Sequence, residues 1–133
     1  MFVLRYDNSM RNIHLILMAH GSKDPRWRKS FEEFEKNVVN ELGEKKVSLC
    51  YMEFIEPRLE AVIDAEVKKG INDFKVFPLF MSGGGHVDRD IPNQVESIKN
   101  KHSNINIEIL PAIGENSLVL DAMKKVVMNE IAK

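Results

Sequence analysis

Residues 13–22 read Ile-His-Leu-Ile-Leu-Met-Ala-His-Gly-Ser, and this stretch decides the fold. Ile13–Met18 is a short apolar run broken only by His14. Such a run is what a strand covered on both faces requires. A polar turn carrying His20, Gly21 and Ser22 follows at once, and then the period changes. Over residues 25–43, Phe31, Phe34, Val38 and Leu42 recur at spacings of three and four, which is one helical face. Pro25 suits a first turn, where its missing N–H costs no hydrogen bond. Ser22 is placed to cap that helix and Gly43 to stop it.

The unit repeats along the chain. Val47–Met52 reads as a second strand, and Pro57 is expected to open a helix carrying Leu59, Val62, Ile63 and Val67, ended by Gly70. Phe74–Phe80 reads as a third strand, with Pro78 limiting ladder pairing near its end. Asp88 and Asp90 are expected N-caps of a third helix, with Pro92 in its first turn and Ile91, Val95 and Ile98 on its apolar face. Ile105–Leu110 alternates with Asn106 and Glu108, as an edge strand with one wetter face would. A last helix carries Leu120, Met123, Val127 and Ile131. Four strand–helix units predict an α/β fold of three layers: a four-stranded, mostly parallel sheet with helices on both faces and a flavodoxin-like topology. Residues 13–133 form one domain, and residues 1–12, of mixed polarity with a second Met at position 10, read as an N-terminal extension.

The chain has 133 residues, 44% hydrophobic and 29% charged, with a net charge of -1. That balance carries no basic footprint for nucleic acid. The single cysteine, Cys50, excludes an intrachain disulfide framework and fits a reducing compartment. No apolar stretch reaches a membrane span, and the apolar start Met1–Leu4 is too short for a signal peptide. The expectation is a cytoplasmic protein with neither a nucleic-acid nor a membrane partner.

Parallel strands end on one edge of the sheet, where sites of this fold class lie. The loops expected there carry His20-Gly21-Ser22, Glu53 to Glu56, Gly83 to His86, and Gly114-Glu115. His20 is the foremost candidate. His86 follows three glycines, Gly83, Gly84 and Gly85, which let the backbone approach a flat or bulky ligand. Glycines before a helix also bind anions. The sequence lacks the Lys-Ser or Lys-Thr pair, however, and its spacing matches neither nucleotide fingerprint. Glu53 interrupts an apolar stretch and is a better site candidate than Glu56, which precedes Pro57. A carboxylate there can accept a proton or help load a cation. Two imidazoles and a carboxylate suit Co²⁺, Ni²⁺, Fe²⁺ or Zn²⁺, and open coordination positions suit a metal that arrives and then leaves. His14 and Cys50, inside strands, read as structural, and His102 as a residue of a helix C-terminus. Lys23, Arg26, Arg28 and Lys29 read as a solvated helix face beside His20 that can also attract an anion. Trp27 either flanks the cleft or packs a helix end.

Three blocks carry a family resemblance: Leu15–Ser22 with Pro25, Tyr51–Pro57 with Leu59 and Glu60, and Val76–Pro92, which holds a Gly-x-His-x-x-x-Asp-Ile-Pro pattern. Ile113-Gly114-Glu115 and Leu118–Ala122 extend the match, which runs from about residue 13 to 131. On these blocks the chain resembles the small sirohydrochlorin chelatases, the short cobaltochelatase-type class II chelatases. The resemblance implies insertion of a divalent metal into sirohydrochlorin, in cobalamin or sirohaem biosynthesis. Co²⁺, Fe²⁺ or Ni²⁺ would be a substrate, with no permanently bound cofactor. It implies His20 as metal ligand and proton acceptor, His86 as second ligand, and Phe80, Met81, Ser82, Gly83, Gly84 and Gly85 as the lining of the macrocycle. Glu53 would be a second proton acceptor or position the metal, and Glu56 is a substrate-binding candidate. Arg89, Lys23 and Arg26 would steer a substrate rich in carboxylates. Longer relatives enclose the tetrapyrrole between two such domains, so a homodimer is expected. A non-catalytic metal or tetrapyrrole carrier and a nucleotide-binding regulator are the competing readings.

Overall fold

Short apolar runs alternating with amphipathic segments build one parallel sheet. In the computed structural model, residues 12–43 and 46–132 are described, apart from the side chain of His86. Of the expected extension only Asn12 is among them. The strands are β1 (Ile13–Ala19), β2 (Val47–Tyr51), β3 (Asp73–Pro78) and β4 (Asn106–Ile109). The helices are α1 (Pro25–Leu42), α2 (Leu59–Lys68), α3 (His86–Lys101) and α4 (Ser117–Ala132), with a 3₁₀ turn at Ile113–Glu115 before α4. The strand order is β2-β1-β3-β4, all pairs parallel. β1 and β3 take the centre, with β2 at one edge and β4 at the other as its alternation predicts.

Each face has its own core. Ile16, Met18, Cys50, Phe74 and Val76 meet Leu59, Ile63, Ile91 and Ile98 under α2 and α3. Leu17, Ala19, Leu49 and Tyr51 meet Trp27, Phe31, Val38 and Leu42 of α1. Burying such side chains stabilises the fold by roughly 1.5–3 kcal/mol each. Trp27 packs a helix end, its ring centroid 4.6 Å from Phe31 and 6.1 Å from Tyr51. Cys50 is buried, and burial pushes its thiol up to about 12.

Four local expectations are corrected. Asp24, not Ser22, caps α1: its carboxylate accepts from the Arg26 N–H at 2.9 Å, while Ser22 Oγ accepts from the Asp24 N–H at 3.1 Å. Pro57 does not open α2; it follows a cis peptide bond at Glu56, and the helix begins at Leu59. Asp88 and Asp90 are not caps, because α3 begins earlier, at His86, after Gly85. Pro92 therefore lies inside α3 rather than in its first turn. Helix α4, which carries Leu120, Met123, Val127 and Ile131 as expected, buries none of its side chains, and these four are exposed.

Candidate functional site

The ladder continues past the ends of the strands and builds the site. On one side of β1 the Met52 N–H donates to the Ala19 carbonyl at 2.8 Å, and the Glu53 N–H donates to the His20 carbonyl at 3.0 Å. On the other side the Leu79 N–H donates to the Met18 carbonyl at 2.8 Å. Register alone therefore sets Glu53 and Phe80 on either side of His20. The His20 ring stacks on Phe80, centroids 3.8 Å apart and planes inclined by 29°. Phe80 is buried and His20 exposed, so a fixed aromatic floor orients a reachable imidazole.

Gly21 is required by this closeness. Its φ is 111°, and a Cβ there would stand 1.8 Å from the Glu53 carbonyl oxygen. Gly114 plays the same part in the fourth loop, where a Cβ would stand 2.1 Å from the Met81 carbonyl oxygen. The Gly114 N–H donates to the Phe80 carbonyl at 2.9 Å, and Glu115 Oε1 accepts from the Gly83 N–H at 3.2 Å. The turn before α4 thus holds the Phe80–Gly83 segment in place. Beside Gly84 and Gly85 the space a side chain would take is open. His86 begins α3, so its backbone lies directly after this loop, while its side chain lies outside the described residues.

Met81 is exposed and Ser82 and Gly83 lie beside it on the same loop. Glu53 is half-buried next to His20. Glu56 stands apart: its carboxylate accepts from the Arg58 N–H at 2.9 Å and lines a groove between α2 and α3. That groove, about 580 Å³, also takes in Arg58, Glu60 and Asp64, but not His20 or the glycine loop. Of the steering candidates, Arg26 is paired with Asp24 at 3.2 Å, and this hydrogen bonding holds the Asp24 carboxyl below its ordinary value. Among the described residues, no three His, Cys, Asp or Glu side chains form a group that would hold a metal ion. What is present is an exposed imidazole whose chain neighbour across the ladder bears a carboxylate, two group types that are chemically able to ligate a metal ion or accept a proton.

Two site features are absent from the sequence reading. Phe54 takes a left-handed conformation, φ 73°, with its side chain largely exposed on the same edge. A phenylalanine held this way is strained, and such strain gathers at functional sites. Nothing in the sequence signals it, because Phe54 reads as part of an apolar run. Glu115 was legible only as a polar residue in the fourth loop; its grip on Gly83 needed the folded chain.

The family model described as CbiX matches residues 14–130. A sirohydrochlorin cobaltochelatase of Sulfolobus acidocaldarius is 32% identical over 85% of this chain and 88% of its own length. A chloroplastic sirohydrochlorin ferrochelatase of Arabidopsis thaliana is 28% identical over 82% of the chain, which spans only 48% of that longer protein. The solved CbiX protein of Marinobacter aquaeolei VT8, linked to cobalamin biosynthesis, superposes with a TM-score of 0.79 at 32% identity, covering 90% of this chain and 95% of that one. The sirohydrochlorin chelatase SirB from Bacillus subtilis, solved with cobalt, shares the fold with a TM-score of 0.77 at 21% identity, over 89% of this chain and 50% of its own. With the sheet order, the His20 turn and the glycine block in place, the match over nearly the whole described chain means that this protein belongs to the CbiX family.

Proposed function

We propose that the chain is a sirohydrochlorin chelatase, inserting a divalent metal into the free-base macrocycle, with Co²⁺ as the foremost metal and Fe²⁺ or Ni²⁺ as alternatives. The observation that carries this reading is the exposed His20 imidazole, stacked on buried Phe80 and bonded through its backbone to Glu53. The relatives named as cobaltochelatases and a ferrochelatase supply the substrate class.

The chemistry is an exchange of one metal ion for two pyrrole protons. His20 and His86 hold the metal as it arrives. The metal passes to the ring nitrogens, and the freed His20 nitrogen then accepts one of the released protons. One nitrogen cannot serve both roles at once, so transfer precedes proton uptake. Glu53 takes the second proton or positions the metal. Phe80 fixes the plane of the imidazole, while Met81, Phe54 and the open glycine backbone offer an apolar surface to a flat ring. Ligation requires unprotonated imidazole, so turnover falls in acid. The working unit is a homodimer with its clefts facing each other, in keeping with a chain about half as long as SirB and the Arabidopsis relative. Among the described residues no helix is long and apolar enough to cross a membrane.

The test is direct. Purified protein, sirohydrochlorin and Co²⁺, Fe²⁺ or Ni²⁺ are mixed, and the absorbance change of the macrocycle is followed against the uncatalysed rate. Acceleration with at least one metal is expected. Binding of metal or macrocycle without acceleration marks a carrier and overturns the reading.

A further inference from the structure

We infer that Phe54 is a substrate-contact residue of this site, held by a strained turn so that its ring meets the flat macrocycle beside His20. This rests on the tetrapyrrole reading above and assigns one wall of that substrate's site. Neither backbone preference nor burial explains a phenylalanine at this position.

The Ile55 N–H donates to the Glu53 carbonyl at 3.0 Å across Phe54, the i→i+2 bond of a γ-turn. With φ 73° at its centre, the turn is of the rare, strained kind. Glycine takes such a φ freely and asparagine tolerates it, whereas a bulky side chain does so only when its surroundings force it. Here they do. On one flank the Glu53 N–H is tied to the His20 carbonyl at 3.0 Å. On the other, Ile55 packs against the core under α1, and the Tyr51 N–H donates to the Pro57 carbonyl at 2.9 Å, closing the loop. Phe54 itself gains no burial from this hold. It is 65% exposed, the most exposed of the described Phe, Tyr and Trp side chains, and belongs to neither core.

What Phe54 gains is position. Register sets Glu53 and Phe80 on either side of His20, so the next residues, Phe54 and Met81, leave the sheet edge on the two loops that flank the imidazole. Both are exposed, at 65% and 57%. A flat conjugated ring lying over His20 thus meets an apolar side chain from each loop. An aromatic side chain suits such a ligand, because stacking recognises its π-face as well as its apolar area. In water Phe54 carries two costs, a strained backbone and an uncovered ring, and a ligand stacked on the ring offsets both. The same turn serves Glu53. Its carbonyl accepts from Ile55 and stands where a Cβ at position 21 would intrude, so presenting Phe54 also fixes the backbone of the neighbouring carboxylate.

The experiment separates the ring from the backbone that holds it. Phe54→Gly and Phe54→Asn remove the ring but accept the left-handed turn, so each should melt at the wild-type temperature or up to about 4 °C above it. Each should also weaken the binding of metal-free sirohydrochlorin, titrated by the absorbance of the macrocycle, roughly 10-fold. Phe54→Trp, which restores an aromatic face, should bind within about 3-fold of the wild type. Gly and Asn variants that bind as tightly as the wild type overturn the assignment, as does a Trp variant that binds no better than they do. A lowered melting temperature in both Gly and Asn variants also overturns it, by making Phe54 a packing residue. The titration contains no metal and needs no turnover. Binding that depends on Phe54 without accelerated insertion therefore overturns the chelatase reading and leaves this assignment standing, whereas a wild type that binds no macrocycle overturns both.

Discussion

Strand β1 carries one histidine and ends just before a second, six residues on, and the fold treats the two in opposite ways. His14 is fully buried near the start of the strand. Its Nε2 lies 2.8 Å from Ser48 Oγ, and its Nδ1 lies 3.7 Å from Glu66 Oε2, while Lys69 reaches the other oxygen of that carboxylate, Oε1, at 3.1 Å. His20 comes just after the strand, exposed, with its ring on Phe80 and its backbone on Glu53. The first is enclosed by partners that hold it for packing; the second is oriented by its floor and left open to a ligand. Which edge of a parallel sheet a residue reaches therefore decides its use more than its side chain does.

Substitutions separate the two positions. His20→Ala should cost about 10²–10⁴-fold in the rate of metal insertion, with the melting temperature nearly unchanged, as single-turnover absorbance and calorimetry would record. A large fall in stability instead would make His20 a packing residue like His14. Gly21→Ala comes next. With a Cβ driven against the Glu53 carbonyl and φ at 111°, it should lose about 2–4 kcal/mol of stability, together with activity. Chemical denaturation measures the first and the insertion assay the second. His14→Leu should cost about 1–3 kcal/mol, because Ser48 and Glu66 lose a buried partner, while the folded variant keeps its insertion rate.

The smallest effect lies far from both histidines, where α2 meets α3. There Lys101 and His102 reach Asp64 at 2.8 and 2.6 Å. Hydrogen bonds from Lys101 and then His102 hold the Asp64 carboxyl below its ordinary value, and the bond to Asp64 raises Lys101. An acid lowered in the folded state stabilises the fold above its unfolded value, and that gain is lost as pH falls through the folded one. Asp64→Asn should therefore lower the melting temperature by no more than about 3 °C at pH 7, since Asp64 is only half-buried and Lys101 is exposed. The difference between variant and wild type should shrink below about pH 4. A difference that persists at pH 2 would show that packing, not charge, joins the two helices there.

Much of this was legible in the sequence for a stated reason. The shift from apolar runs to three-and-four spacing predicted four strand–helix units, and parallel connectivity then put His20, Glu53 and the glycine loop before His86 on one edge. Local chemistry misled where competing signals lay close together. Pro57 looked like a helix opener, but the cis bond before it places it in a turn. Pro92 looked like a first-turn residue, but α3 had already begun at His86. Glu56 shared a loop with Glu53, yet it turns to Arg58 and the α2–α3 groove.

The sequence by itself determined the fold class and the family, and it nominated His20 as the leading site candidate, because periodicity and motif spacing are local properties of the chain. Tertiary structure alone decided three things: the Phe80 floor under His20, the strained Phe54, and the hold of Glu115 on the glycine loop. It also left α4 unpacked against its own sheet. Each of these depends on residues distant in sequence, brought together by strand register and by the turn before α4, and no linear pattern records such meetings.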